Sequence, residues 1–87
     1  MVENVKIENS DQIEFAIFCI ENIGIKLGIS GDNVYKLLTE KSNILNSYIV
    51  PEYEILHTQG KDYIVDDIIR VMKEQGINLW FYTTDHI

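Results

Sequence analysis

Residues 10 to 28, "SDQIEFAIFCIENIGIKLG", follow the spacing of an α-helix but are apolar on two sides. Asn9 or Ser10 suits the N-cap, and Ile13, Ala16, Ile17, Ile20, Gly24 and Leu27 recur at steps of three and four along one face. Phe15, Phe18 and Cys19 form a second apolar side. A helix of this kind leaves apolar surface in water unless neighbours or a dimer partner cover both flanks, so it is expected at the centre of the fold. Gly28 suits a left-handed C-terminal cap, with Ile29 supplying the apolar contact that accompanies one.

The segments that follow read as the helices that cover it. In "ISGDNVYKLL", Ser30 is the expected cap, Asp32 lies in the first turn, and Val34, Leu37 and Leu38 point inward. Ser42 can cap a third helical stretch carrying Ile44, Leu45, Tyr48 and Ile49 on one side. Pro51 interrupts that stretch and begins a fourth, short helix ending near His57, because proline lacks an amide hydrogen and fits a first turn. After Gly60, "KDYIVDDIIRVMKEQG" places Ile64, Val65, Ile68 and Met72 inward, Asp66, Asp67, Arg70 and Lys73 mostly outward, and Gly76 at the stop. The expected fold is therefore all-α, a single small domain of about five helices. Residues 1–9 form an N-terminal segment, 10–76 the helical domain and 77–87 a short extended or irregular aromatic tail. Leu79, Trp80, Phe81 and Tyr82 in that tail are strand formers without helical period, and Val5 and Ile7 near the start also alternate, so the two ends can pair as strands.

Charge narrows the function classes. Fourteen acidic residues against seven basic ones give a net charge of -7, a surface that repels phosphate backbones and anionic lipid headgroups and attracts basic proteins or cations. Nucleic-acid and membrane partners are disfavoured. The lone cysteine, Cys19, cannot form an internal disulfide and sits in the apolar run "FAIFCIENI", where a thiol acts as a small buried hydrophobe. No apolar run approaches the ~20 residues of a membrane span, and "MVENVKIENSDQ" lacks the features of a signal peptide, so a cytoplasmic location is expected.

The polar stretch "EYEILHTQGKDYIVDDI", residues 53 to 69, holds the residues able to carry chemistry. His57 can act as a general base beside the Thr58 hydroxyl, and Gly60 with Lys61 can contact an anion at a helix start. The stretch has no GxxxxGK[ST] run and no third residue to orient the histidine. Asp62 and Asp66 lie one helical turn apart near His57, but their spacing matches neither a calcium loop nor a zinc motif. A helix corner accounts for the same residues: Asp62 and Asp66 oppose the helix dipole, Gly60 takes a positive φ, and His57 bonds free carbonyls at a helix end. Neither a metal nor a cofactor is expected. "LGISGDNVYKLL" has the form of the turn and second helix of a helix-turn-helix DNA reader, but Asp32 and Glu40 flank Lys36 where a reading helix is basic.

"FAIFCIENIGIKLGISGDNVYKLL" followed by "LHTQGKDYIVDDI" resembles the bacterial domain of unknown function 3791 family over roughly residues 12 to 75. Leu56, His57, Thr58, Gly60, Tyr63, Ile64, Asp66, Asp67 and Ile68 stand together in that family's spacing. The resemblance implies a small helical cytosolic protein of bacteria, often encoded beside an ADP-ribosyltransferase-like protein, and therefore an accessory or antitoxin-like role. It implies no catalytic residues.

Together these readings point to a non-catalytic protein-interaction module rather than an enzyme. Its partner is expected to be a protein, ADP-ribosyltransferase-like on the family resemblance, with a homodimer through the first helix or the tail also expected. The residues expected to meet the partner are His57, Thr58, Gly60, Asp66, Asp67, Trp80 and Phe81. Two alternatives stand beside it. A helix-turn-helix regulator would need Lys26, Lys36 and Lys41 to form one basic patch and would bind DNA in a salt-sensitive way. A small nucleotide or ligand binder, or enzyme, centred on His57 would gain thermal stability from its ligand.

Overall fold

In the computed structural model, which describes residues 10–77 and residue 79, the first helix, α1, runs Ser10–Leu27. It ends as its glycine dictates. Gly28 has φ +73°, and both its own N–H, at 2.7 Å, and the Ile29 N–H, at 3.0 Å, reach back to the Gly24 carbonyl, so the helix end is closed by one left-handed residue. Asn9, the other expected cap, lies outside the described residues.

The second helix, α2, spans Gly31–Thr39 and starts where Ser30 Oγ accepts from the Asn33 N–H at 3.2 Å. It lays Val34 and Leu38, both fully buried, against α1. The approach is close at Gly24, where an added Cβ would stand 2.8 Å from the Ile29 carbonyl oxygen and 3.6 Å from a Val34 methyl. Gly24→Ala is therefore expected to lower stability by about 1–2 kcal/mol in urea unfolding, even though alanine is the better helix former by ~1 kcal/mol. A gain in stability would mean that the loop after α1 yields freely.

Ser42 then ties the end of α2 to the next segment, donating to the Leu37 carbonyl at 2.8 Å while accepting from the Ile44 N–H at 3.3 Å. The segment itself, Leu45–Ile49, is π-helical rather than α-helical, with the Val50 N–H bonded to the Leu45 carbonyl at 3.0 Å. Its wider turn keeps Ile44, Leu45, Ile49 and Val50 on one buried side. Pro51 occupies the bend after it. The third α-helix, α3, is only Tyr53–Leu56, two residues later than proline placement suggests, because the Glu52 carbonyl is the first to accept a helical bond, from the Leu56 N–H at 2.8 Å. The last helix, α4, spans Lys61–Glu74 and ends at Gly76, whose φ is +87°.

The fold is all-α, five helical segments among the described residues, with α1 packed between α2 and α4. The centre expected for α1 is right, and its buried face combines members of both expected apolar sides, without Ile13 and Ile17 and with Ile23 added. Phe15, Ala16, Cys19, Ile23, Gly24 and Leu27 face the core, whereas Ile13 and Ile17 are 43% and 49% exposed. Two neighbours cover one continuous arc of a helix; that arc centres on Cys19 and Ile23, and Ile13 and Ile17 fall outside it. Burial pushes the Cys19 thiol up to about 12, so it stays protonated packing material rather than a nucleophile.

On α4, Ile64, Val65, Ile68 and Met72 are buried as expected, joined by Ile69 and Val71. Leu79 also reaches the core, while Trp80, Phe81, Val5 and Ile7, and with them the expected pairing of the chain ends, lie outside the described residues. No polar or charged residue among the described ones is buried. No described helix is long and apolar enough to cross a membrane.

Candidate functional site

The structure separates the residues that the sequence places together between 53 and 69. His57 is the residue after α3, exposed, with its ring stacked on that of Tyr53 at a centroid distance of 4.4 Å and an angle of 13°. Spacing explains the pair. Residues four apart on a helix stand one above the other, so the phenol and the imidazole meet face to face. Stacking, not a bond to a helix-end carbonyl, is the contact that orients His57.

Thr58 is also turned to local work, its Oγ1 donating to the Ile55 carbonyl at 2.8 Å and accepting from Gln59 Nε2 at 3.4 Å. Gly60 has φ -73° and ψ 159°, so the positive φ expected there is wrong. An extended residue is all that the corner needs, since Gly60 serves as the N-cap of α4 and its carbonyl accepts from the Ile64 N–H at 3.0 Å.

The aspartates lie in other places. Asp66 pairs with Lys26 of α1 at 3.4 Å, beside a small cleft that Asp62, Lys61 and Asn22 also line. Asp67 was expected outward, but its side chain is only 10% exposed. It accepts a hydrogen bond from the Tyr48 hydroxyl and is bridged by Arg70 at 2.8 Å, and Arg70 in turn reaches Glu74 at 2.7 Å. Asp67 thus ties α4 to the π-helical segment. Among the described residues no group of three potential ligands could hold a metal ion, which separates His57, Asp62 and Asp66.

What His57 does meet is a cleft of about 310 Å³ between the first half of α1 and α3, lined by Asp11, Glu14, Phe15, Phe18, Tyr53 and His57. Four rings form a ladder along it. Phe18 stacks near Phe15 at 6.3 Å, Phe15 meets Tyr53 edge to face at 5.4 Å, and Tyr53 carries His57. Phe15 is 8% exposed and belongs to the core, Phe18 is half-buried and His57 is open to solvent, so the ladder runs outward from Phe15 through Tyr53 to the surface at His57. Asp11 and Glu14, both exposed, supply negative charge at the rim. Their effect is visible on Tyr53, whose phenol is raised above its ordinary range by burial first and then by Asp11, Glu54 and Glu14.

Sequence reasoning found Phe15 and Phe18 as a second apolar side of α1 but did not join them to Tyr53 and His57. The signal was present as two spacings: Asp11, Glu14, Phe15 and Phe18 at helical steps, and Tyr53 with His57 four apart. Only the folding of α3 against α1 brings them together.

The model of the family described as protein of unknown function, DUF3791, matches residues 14–75 of this sequence. The chain belongs to the DUF3791 family. The match begins within the acidic rim of the cleft, at Glu14, and ends one residue before the Gly76 cap, so in DUF3791 terms the ring ladder and all five helices fall within or across the shared region. No curated protein and no solved structure matches the chain.

Proposed function

We propose that this DUF3791 chain is a non-catalytic interaction module of the bacterial cytoplasm, the accessory or antitoxin-like partner of an ADP-ribosyltransferase-like protein encoded beside it. The cleft between α1 and α3 is its contact surface. The observation that carries this reading is the ring ladder, an aromatic surface that ends in solvent between carboxylates. Aromatic side chains in open clefts are the usual anchors of protein interfaces, and a net charge of -7 steers a basic partner towards them. The choice of an ADP-ribosyltransferase-like partner rests on the family resemblance, which is associational. The exposed Ile13 and Ile17, on another side of α1, give a pairing of two copies the apolar surface it needs.

Co-expression of the tagged chain with the adjacent ADP-ribosyltransferase-like protein tests the reading. A stoichiometric complex is expected from wild type, lost in His57→Ala and retained in Asp66→Ala, whose side chain pairs with Lys26 away from the ladder. Absence of a complex, or equal loss in both variants, would remove the cleft from the mechanism of binding.

A further inference from the structure

We infer that the cleft between α1 and α3 receives one arginine side chain of the partner, its guanidinium laid on the exposed end of the ring ladder between Asp11 and Glu14. This deepens the interaction reading above and rests on it.

Size is the first support. At about 310 Å³ the cleft is at the bottom of the range of small-molecule sites, roughly 300–1,000 Å³, and so is matched to a side chain rather than to a dinucleotide or other large cofactor. Chemistry is the second. The lining divides into ring surface from Phe18, Tyr53 and His57 and carboxylates from Asp11 and Glu14, with Gln59 beside them. A cation that is also flat satisfies both halves at once, because aromatic faces attract positive charge and stack on planar groups. Asp11 and Glu14 are three apart on α1, one above the other, so the two carboxylates stand where a forked donor can use both. Lysine offers the charge without the plane, and is expected to bind less well.

The field at the site has the required sign. The cleft is walled by α1 and α3, with Ile64 of α4 beside them, and the charges that act on the Tyr53 phenol, Asp11 and Glu14 on α1 and Glu54 on α3, are all acidic. An acidic or phosphorylated segment is excluded from the same place by the same charges.

The test uses the full chain, isotope-labelled for nuclear magnetic resonance, titrated with three blocked tripeptides, Gly-Arg-Gly, Gly-Lys-Gly and Gly-citrulline-Gly. Citrulline keeps the shape of arginine and removes its charge. Millimolar binding of the arginine peptide is expected, with shifts confined to the cleft residues Asp11, Glu14, Phe15, Phe18, Tyr53 and His57, weaker binding of lysine, and at least about tenfold weaker binding of citrulline. The double variant Asp11→Asn, Glu14→Gln, which alters only exposed carboxylates, is expected to weaken the arginine peptide by about tenfold. Equal binding of arginine and citrulline, shifts spread over other faces, or no shift at all would each overturn the inference. The two readings fail separately: a complex with the ADP-ribosyltransferase-like protein that the double variant leaves intact sinks the arginine assignment alone, whereas arginine binding without any such complex sinks the partner assignment alone.

Discussion

Ile23→Ala is expected to cost about 3 kcal/mol of folding stability, while Ile17→Ala changes it by no more than about 0.5 kcal/mol. Both residues are isoleucines in the middle of α1, six positions apart, and sequence spacing favours Ile17 as the core member. The structure reverses that choice, with Ile23 fully buried and Ile17 49% exposed. Truncating Ile23 removes three carbons' worth of burial and leaves a cavity that α2 and α4, each fixed by its own contacts with α1, cannot close. Truncating Ile17 removes surface already half in water. Urea midpoints for the two variants and for Ile23→Val, where a loss of about 1 kcal/mol is expected, would establish the order. Equal losses at 17 and 23 would mean that α1 is covered on its other side too, as by a second copy.

Asp67→Ala is the other large effect, an expected loss of about 2 kcal/mol, because it strips the acceptor from the Tyr48 hydroxyl and from Arg70 in one step. Asp67→Asn keeps an oxygen acceptor and is expected to lose about half as much. Glu74→Ala, which breaks an exposed pair with the same arginine, is expected to lose no more than ~0.5 kcal/mol. The phenol gives this network a pH signature. Tyr48 is pushed up to about 12, by burial first and then by the hydrogen bond and charge of Asp67. Its folded value thus exceeds its unfolded value of about 10, so the folded protein holds the proton more tightly. The stability it contributes is fully present below about pH 10 and drains away as pH rises towards about 12. Urea midpoints measured across that window should fall more steeply for wild type than for Tyr48→Phe, and parallel curves would remove the tyrosine from the network.

Caps and helix number were legible in the sequence because they are local. Ser30, Gly28 and Gly76 act on backbone groups within four residues of themselves, and each does in the structure what its side chain, or lack of one, implies. The buried face of α1 was only partly legible because the helix is apolar on two sides, and the positions of α2 and α4 set which members of each side are covered. The π-helical segment escaped for a similar reason. Ile44, Leu45, Tyr48 and Ile49 suit an ordinary helix, and the burial of Val50 beside them is what the wider turn adds. The site was half legible. His57 was singled out, but on a loop read as a unit, and the fold distributes that unit over three places, leaving His57 stacked on Tyr53 and sharing a cleft with rings of a helix some forty residues earlier. Gly60 shows the converse error, a glycine credited with a left-handed turn that the chain makes without one.

The ring ladder also fixes what docking costs in entropy. A surface aromatic or histidine usually samples several rotamers, and freezing such a side chain on binding costs about 0.5–1.5 kcal/mol. Here Tyr53 is wedged against Phe15 and His57 lies flat on Tyr53, so much of that freedom is surrendered when the chain folds rather than when a partner arrives. The outermost ring of the ladder meets its visitor already aligned, held from behind by the hydrophobic core.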